Sequence, residues 1–435
     1  AIAGVGGVLG FVPIIFFMFF LLAIIEDSGY IARISFILDR ALRTFGLQGK
    51  SIMAMIVSGG IAGGCAVPGV MSTRTLGDPK DRITTMMVAP LMNCGAKVPV
   101  FAMLIAAFFA AHKGLMMMLL VILAWGVALS AAFVLRKTVA RGPESPFVME
   151  LPPYHLPTFT SVFRSACQRS WSYMRKAFTI ILAVSVVMWA MMYFPRNDAS
   201  AFEGETEAAT SAMVAETPSA NLDLISDENL EDTLAFAALF SEARESEDSL
   251  NTLREQDPHR YASLSMAPAS FTDSLTAYAD QIAEIENNAA GAQLRQSVAG
   301  RIGLILEPLT KFAGFDWRDN IALTGGFAAK EIIVSTMGTA YSMGAVEPVE
   351  DVDENLAGNP LSRQLARDPG WNPLRAFALV VFVMFYAPCL VTTAVIWKES
   401  GHWKWAGFAT AYSTIMAFTL AALVFQIGSL LGLGV

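Results

Sequence analysis

The sequence predicts an all-α polytopic membrane protein with interrupted transmembrane helices, and three observations predict it. Hydrophobic residues make up 54% of the chain and charged residues only 16%, below the roughly 25% usual in soluble domains. Apolar windows at 8–25, 115–135, 177–194, 376–397 and 405–431 reach or exceed the roughly 18 residues expected of a membrane span. Finally, three apolar stretches carry a cysteine beside glycine or proline: Gly63-Gly64-Cys65-Ala66-Val67-Pro68-Gly69, Asn93-Cys94-Gly95-Ala96-Lys97-Val98-Pro99 and Ala387-Pro388-Cys389. Proline lacks the backbone donor and glycine has poor helix propensity, so each stretch should break a helix inside the bilayer. Broken backbone at that depth is tolerated where it is buried in protein or lines a cavity.

Along the chain, a first membrane half at 1–194 precedes an acidic insert at 195–297 and a second membrane half at 298–435. The first half contains an amphipathic stretch in which Ile31, Ile34, Leu38, Leu42 and Phe45 recur at helical spacing. Two interrupted segments follow, 51–71 around Cys65 and 83–111 around Cys94. The insert has about four acidic residues for each basic one; its early part, 199–220, has the composition of a linker, and 227–253 has helical periodicity. The second half holds another interrupted segment, 320–343, centred on Gly325-Gly326-Phe327-Ala328-Ala329-Lys330-Glu331. Basic residues in short loops place the 136–176 connection in the cytoplasm and the insert outside it. One conflict follows: if 51–71 spans fully, the basic stretch 31–50 falls outside, whereas a re-entrant segment keeps it inside.

Several function classes are disfavoured. The net charge of −8 argues against nucleic acid as a partner. The four cysteines have no paired spacing, so neither a disulfide framework nor a structural zinc site is indicated. Gly49-Lys50-Ser51 lacks the glycine five residues earlier, where Thr44 stands, and so reads as a turn rather than a phosphate loop. No basic leader precedes the first apolar run; a chain opening on Ala1 is expected to be part of a longer protein.

The chemistry concentrates at the breaks. In transporters, interrupted helices are where substrate and ions bind, and a thiol there suits a transition metal better than Mg²⁺ or Ca²⁺. Cys65 and Cys94 share a local pattern, with Val-Pro two or four residues on, against the ordinary alternative of small buried hydrophobes. Cys389 is a third candidate, while Cys167, between Arg164 and Arg169, reads as structural. Glu331 is a carboxylate in an apolar segment and a functional candidate on that ground, although Lys330 beside it offers a plain ion pair. Glu26 and Asp27, at the end of a span, are weaker metal candidates. Met116–Met118 reads as packing or lipid contact, and the four histidines show no metal-binding pattern.

These motifs resemble the membrane part of the ferrous iron transport protein B family. The resemblance is carried by Gly4–Pro13, by Glu26-Asp27-Ser28-Gly29-Tyr30-Ile31-Ala32-Arg33, by the runs from Cys65 to Thr75 and from Ala89 to Val100, by Gly326–Thr339, by Pro388-Cys389 and by Lys404-Trp405. It implies two gate domains arranged as an inverted repeat around a path for Fe²⁺, with Cys65, Cys94 and Cys389 as thiols and Glu331 as a carboxylate along it. It also implies a bacterial inner membrane location, a cytoplasmic GTPase domain that uses GTP and Mg²⁺ and lies outside this chain, and small cytoplasmic accessory proteins; a homo-oligomer is compatible with it. The alternatives are a gate-fold transporter of an organic solute such as a nucleoside, and a non-transporting scaffold whose insert binds a partner.

Overall fold

The computed structural model describes residues 27–60, 63–141, 156–195, 291–341, 360–368 and 370–432, with scattered positions in 13–25 and 254–289 and at 154. Glu26 and nearly all of the acidic insert, including 199–220 and 227–253, lie outside the described residues. The chain forms two compact units: Ala1–Phe194 with Val298–Val435, and Pro195–Ser297. The regular structure of the described residues is helical, with no strand among them. The protein is an all-α polytopic membrane protein.

The first half opens with α1 (Tyr30–Thr44), whose exit is held by the Gly49 N–H donating to Asp39 at 2.7 Å. This is the turn around Gly49-Lys50-Ser51, and the Ser51 hydroxyl is occupied by Thr85 at 2.8 Å. Helix α2 (Ser51–Met55) runs through a π turn, Ile56–Gly60, into the first break, and α3 (Ala66–Ser72) returns beside it. Two contacts show that the chain doubles back. The Cys65 N–H donates to Val57 O at 2.8 Å, and a Cβ on Gly69 would sit 2.8 Å from Ala54 O. Segment 51–71 is therefore a helical hairpin, with both ends on one side of the molecule.

A broken span follows, α4 (Pro79–Val88) and α5 (Val98–Phe108), and then an unbroken one, α6 (Lys113–Thr138). After α7 (Phe159–Tyr193), the second half repeats this order. Helix α8 (Val298–Thr310) leads into a second hairpin, α9 (Trp317–Ala328) and α10 (Ile332–Ala340), in which Gly325 faces Thr336 and Gly326 faces Ile333. After α11 (Pro360–Arg367) come a broken span, α12 (Pro373–Phe385) with α13 (Leu390–Ser400), and a long one, α14 (Trp403–Leu430).

The two sets run in opposite directions. On one side lie the buried Arg136–Asp81 ion pair at 2.9 Å, Gly46 against the Arg136 side chain, and Glu399 held by Arg82 at 2.9 Å. On the other lie Phe108 stacked on Trp371 and the Arg375 guanidinium clamped by Asp319 and Asp316 at 2.6 and 2.8 Å. Helices α4–α5 start on the first side, whereas α12–α13 end there, and the second hairpin opens on the second side. This is an inverted repeat of hairpin, broken span and long span. The first side carries Lys50, Arg74, Lys80 and Arg82, so the hairpin geometry removes the conflict with the positive-inside rule.

The long spans show why this unit suits lipid rather than water. On α6, Leu120, Ala124, Ala128, Ala131 and Leu135 are buried, while Leu115, Met118, Ile122 and Val134 face outward. On α14 the inner stripe is Ala406, Ala409, Ser413, Ala417 and Ala421, with Ile415, Leu423 and Ile427 outside. Small residues inside let helices approach closely where lipid supplies no hydrophobic drive for association.

Candidate functional site

The four interruptions join through a chain of contacts. Within the first half, the Gly95 N–H donates to Gly64 O at 2.8 Å, so the residues following Cys94 and preceding Cys65 are bonded to each other. Gly59, at φ 122, lies so close to this point that a Cβ would stand 2.2 Å from Asn93 O. Only glycine fits that backbone and that space. Between the halves, Lys97 Nζ donates to Met384 O at the end of α12, at 2.6 Å. Within the second half, the Tyr386 hydroxyl points to Leu323 O at 3.4 Å, and Lys330 Nζ stands 2.8 Å above the Tyr386 ring.

The candidates read from sequence occupy equivalent places in this arrangement. Cys65, Cys94, Glu331 and Cys389 are each the residue that precedes a helix or helical turn, and none spends its side chain on capping that helix. Helix N-termini leave backbone N–H groups without an intrahelical partner, so an acceptor side chain placed there lies beside free donors. Cys94 (φ −69, ψ 155) and Cys389 (φ −60, ψ 156) share one backbone conformation in the two broken spans. The Cys389 sulfur is 3.0 Å from the Thr392 hydroxyl.

Not every candidate comes together. Asp27 is exposed, with its carboxylate 3.5 Å from the Ser161 hydroxyl on α7. Among the described residues, no group of three or more His, Cys, Asp or Glu is close enough to hold a metal ion at once. The Lys330–Glu331 ion pair considered from sequence does not form: Lys330 Nζ has no hydrogen-bond partner, and no ion pair joins it to Glu331.

Sequence reasoning missed the importance of Lys97, Lys330 and Tyr386. Lys97 is only 2% exposed, and its ammonium serves Met92 O at 2.9 Å and Pro90 O at 3.4 Å besides Met384 O. It satisfies carbonyls that the break releases from the helix. Lys330 is 3% exposed. The available signal was a lysine within an apolar segment, which is costly and therefore purposeful. Trp125 was also missed; its indole donates to Gly60 O at 3.0 Å and holds the π turn.

The sequence matches the gate family, described as nucleoside recognition, over residues 8–108 and 174–403. It also matches the C-terminal region of ferrous iron transport protein B over residues 117–169. The chain is a gate-family protein of the ferrous iron transport protein B type. Among curated gate-family relatives, a fusion of Fe(2+) transport protein A with Fe(2+) transporter FeoB from Porphyromonas gingivalis is 34% identical, covering 99% of this chain and 44% of that protein. The Fe(2+) transporters FeoB of Methanocaldococcus jannaschii and Helicobacter pylori are 31% and 30% identical, covering 99% and 98% of this chain and 49% and 55% of theirs. The chain spans about half the length of these relatives. No solved structure matches it significantly.

Proposed function

We propose that this chain is the permease portion of a bacterial ferrous iron importer, and that Fe²⁺ crosses where the four breaks meet. The observation that carries this reading is the junction of the two cysteine-bearing breaks through the Gly95–Gly64 hydrogen bond, in a family whose curated relatives are named Fe(2+) transporters. In the proposed mechanism, Fe²⁺ sheds part of its water shell and meets sulfur from Cys65 and Cys94. It then meets sulfur from Cys389 and oxygen from Glu331. Soft sulfur discriminates against Mg²⁺ and Ca²⁺. Glu26 and Asp27 would act, if at all, away from this crossing. Opposed hairpins suit alternating access, in which one repeat rocks against the other.

The resemblance to the ferrous iron transport protein B family implies a GTPase domain outside this chain, using GTP and Mg²⁺ to drive or open the path, and the relatives' additional length leaves room for one. The fused Porphyromonas relative supports an accessory transport protein A acting beside the permease. The setting is the bacterial inner membrane, as a multi-pass protein, and the acidic insert 195–297 forms a separate extracytoplasmic unit. The direct test is anaerobic Fe²⁺ binding by the purified chain and by the Cys65→Ser/Cys94→Ser variant, with Zn²⁺, Mn²⁺ and a nucleoside as competitors. Saturable binding that the variant loses is the expected result. Equal binding by both proteins would retire the thiol path, and competition by the nucleoside would favour an organic solute.

A further inference from the structure

The two broken spans run in opposite directions and are tied to each other at both ends by contacts of different chemistry. On the basic side, α4 begins and α13 ends. There the Glu399 carboxylate accepts from Arg74 Nε at 2.7 Å and from Arg82 at 2.9 Å, and Arg82 also donates to Glu399 O at 3.0 Å. On the other side, α5 ends and α12 begins. There Phe108 stacks on Trp371 with ring centroids 5.8 Å apart, and Phe109 meets Phe377 edge-on at 6.5 Å. Arg82 and Arg375 hold matching places, just after the proline that opens each broken span, yet their partners differ. Arg375 is spent within its own half, on Asp316 and Asp319, and the Trp371 indole beside it is fixed by donating to the Tyr341 hydroxyl at 2.7 Å. Arg82 instead reaches into the opposite half.

We propose that the Glu399–Arg74–Arg82 cluster is a latch that closes the crossing on the basic side, and that this end opens while the Phe108–Trp371 end stays shut. The proposal rests on the reading of the crossing as a path between the halves, with the basic side in the cytoplasm. Parting the latch hydrates every group it separates. The Arg74 and Arg82 side chains are already 54% and 32% exposed, and ion pairs that water can reach are weak. Parting the aromatic rings instead puts apolar surface into water with nothing returned. The latch also has a mechanical link to the breaks. Glu399 lies in the last turn of α13, and Cys389 is the residue that precedes the first turn of the same helix. Releasing Glu399 therefore frees the helix that starts at the second broken span's interruption. Salt screens charge and leaves ring stacking in place, so ionic strength distinguishes the two ends.

The test reads water access to the breaks in the full-length protein, without iron. A membrane-impermeant maleimide is applied to one side at a time, in inside-out vesicles and in spheroplasts, and labelling of Cys65, Cys94 and Cys389 is resolved by peptide mass. Glu399→Gln is expected to raise labelling of Cys389 from the basic side roughly fivefold or more, with the rate from the other side unchanged. Trp371→Ala should raise labelling from the other side alone. In the parent, added salt should speed labelling from the basic side, and Glu399→Gln should lose that dependence. Labelling of Glu399→Gln that is unchanged, rises equally from both sides or rises only from the other side overturns the latch. If that variant does not fold, parent labelling from the basic side that ignores salt overturns it instead. Fe²⁺ binding to the Cys65→Ser/Cys94→Ser variant is read separately. Thiol-independent binding rejects the thiol path and leaves the latch standing, whereas thiol-dependent binding with labelling indifferent to Glu399→Gln does the reverse.

Discussion

The two halves of the molecule solve the same problem with the same residue type and opposite outcomes. Each half breaks its helices at the crossing and buries one lysine there, Lys97 in the first and Lys330 in the second. Lys97 places its ammonium among three main-chain carbonyls, one of them across the repeat boundary on Met384. Lys330 has the Tyr386 ring and no hydrogen-bonding oxygen. The first is a staple that satisfies backbone released by the break. The second packs on an aromatic face instead. An inverted repeat can thus keep its geometry while the two buried lysines find different surroundings, main-chain carbonyls in one half and an aromatic face in the other.

The comparison breaks first at Gly59. Its φ of 122 and the 2.2 Å approach of a Cβ to Asn93 O mean that Gly59→Val should cost about 3 kcal/mol or more, read as loss of a cooperative thermal transition in detergent. A variant that melts like the parent would show that the two breaks do not touch. Next, Lys97→Met strands buried carbonyls on Met92 and Met384 and should cost about 2–4 kcal/mol. Lys330→Met removes a buried nitrogen that makes no hydrogen bond and should be neutral or stabilising by about 1 kcal/mol. Melting temperatures of the two variants that shift together would end the distinction between the two lysines.

A smaller effect tests the seam on the basic side. There the Glu399 carboxylate receives Arg74 and Arg82 and links the loop after the first hairpin to the end of α13. Glu399 is only 4% exposed, so Glu399→Gln should destabilise by about 1–2 kcal/mol. Arg74 is 54% exposed, and Arg74→Ala should change stability by less than about 1 kcal/mol. Equal losses at both positions would mean that Arg74, not Arg82, carries the seam.

Much of this was legible in the residues. Apolar windows located the long spans, and cysteine beside glycine or proline located three of the four breaks, because both signals are local in the chain. The hairpin form of 51–71 was not decided by sequence, since periodicity reports that a helix exists and not that the chain turns back. The doublets Gly59-Gly60 and Gly63-Gly64 were the available hint: the φ of 122 at Gly59 and of 100 at Gly63 is what the reversal requires. The roles of Lys97 and Lys330 were hidden for a different reason. Their partners are Met384, 287 residues from Lys97, and Tyr386, on another broken helix, and no local pattern encodes such pairings. Lys330 sits beside Glu331 in sequence, so an ion pair was the plain alternative to a functional carboxylate, and among the described residues no such pair forms.

The central claim is that the junction of the Cys65 and Cys94 breaks lies on the route of Fe²⁺. Uptake of radiolabelled Fe²⁺ by liposomes holding the full-length protein tests it most directly, comparing Cys65→Ser/Cys94→Ser with Cys167→Ser. Cys167 lies on α7, away from the breaks, and serves as the internal control. The prediction is a loss of roughly tenfold or more in the double variant, as expected when hard oxygen replaces soft sulfur, with Cys167→Ser at the parent rate. Uptake undiminished in the double variant, or reduced equally in both, would contradict it.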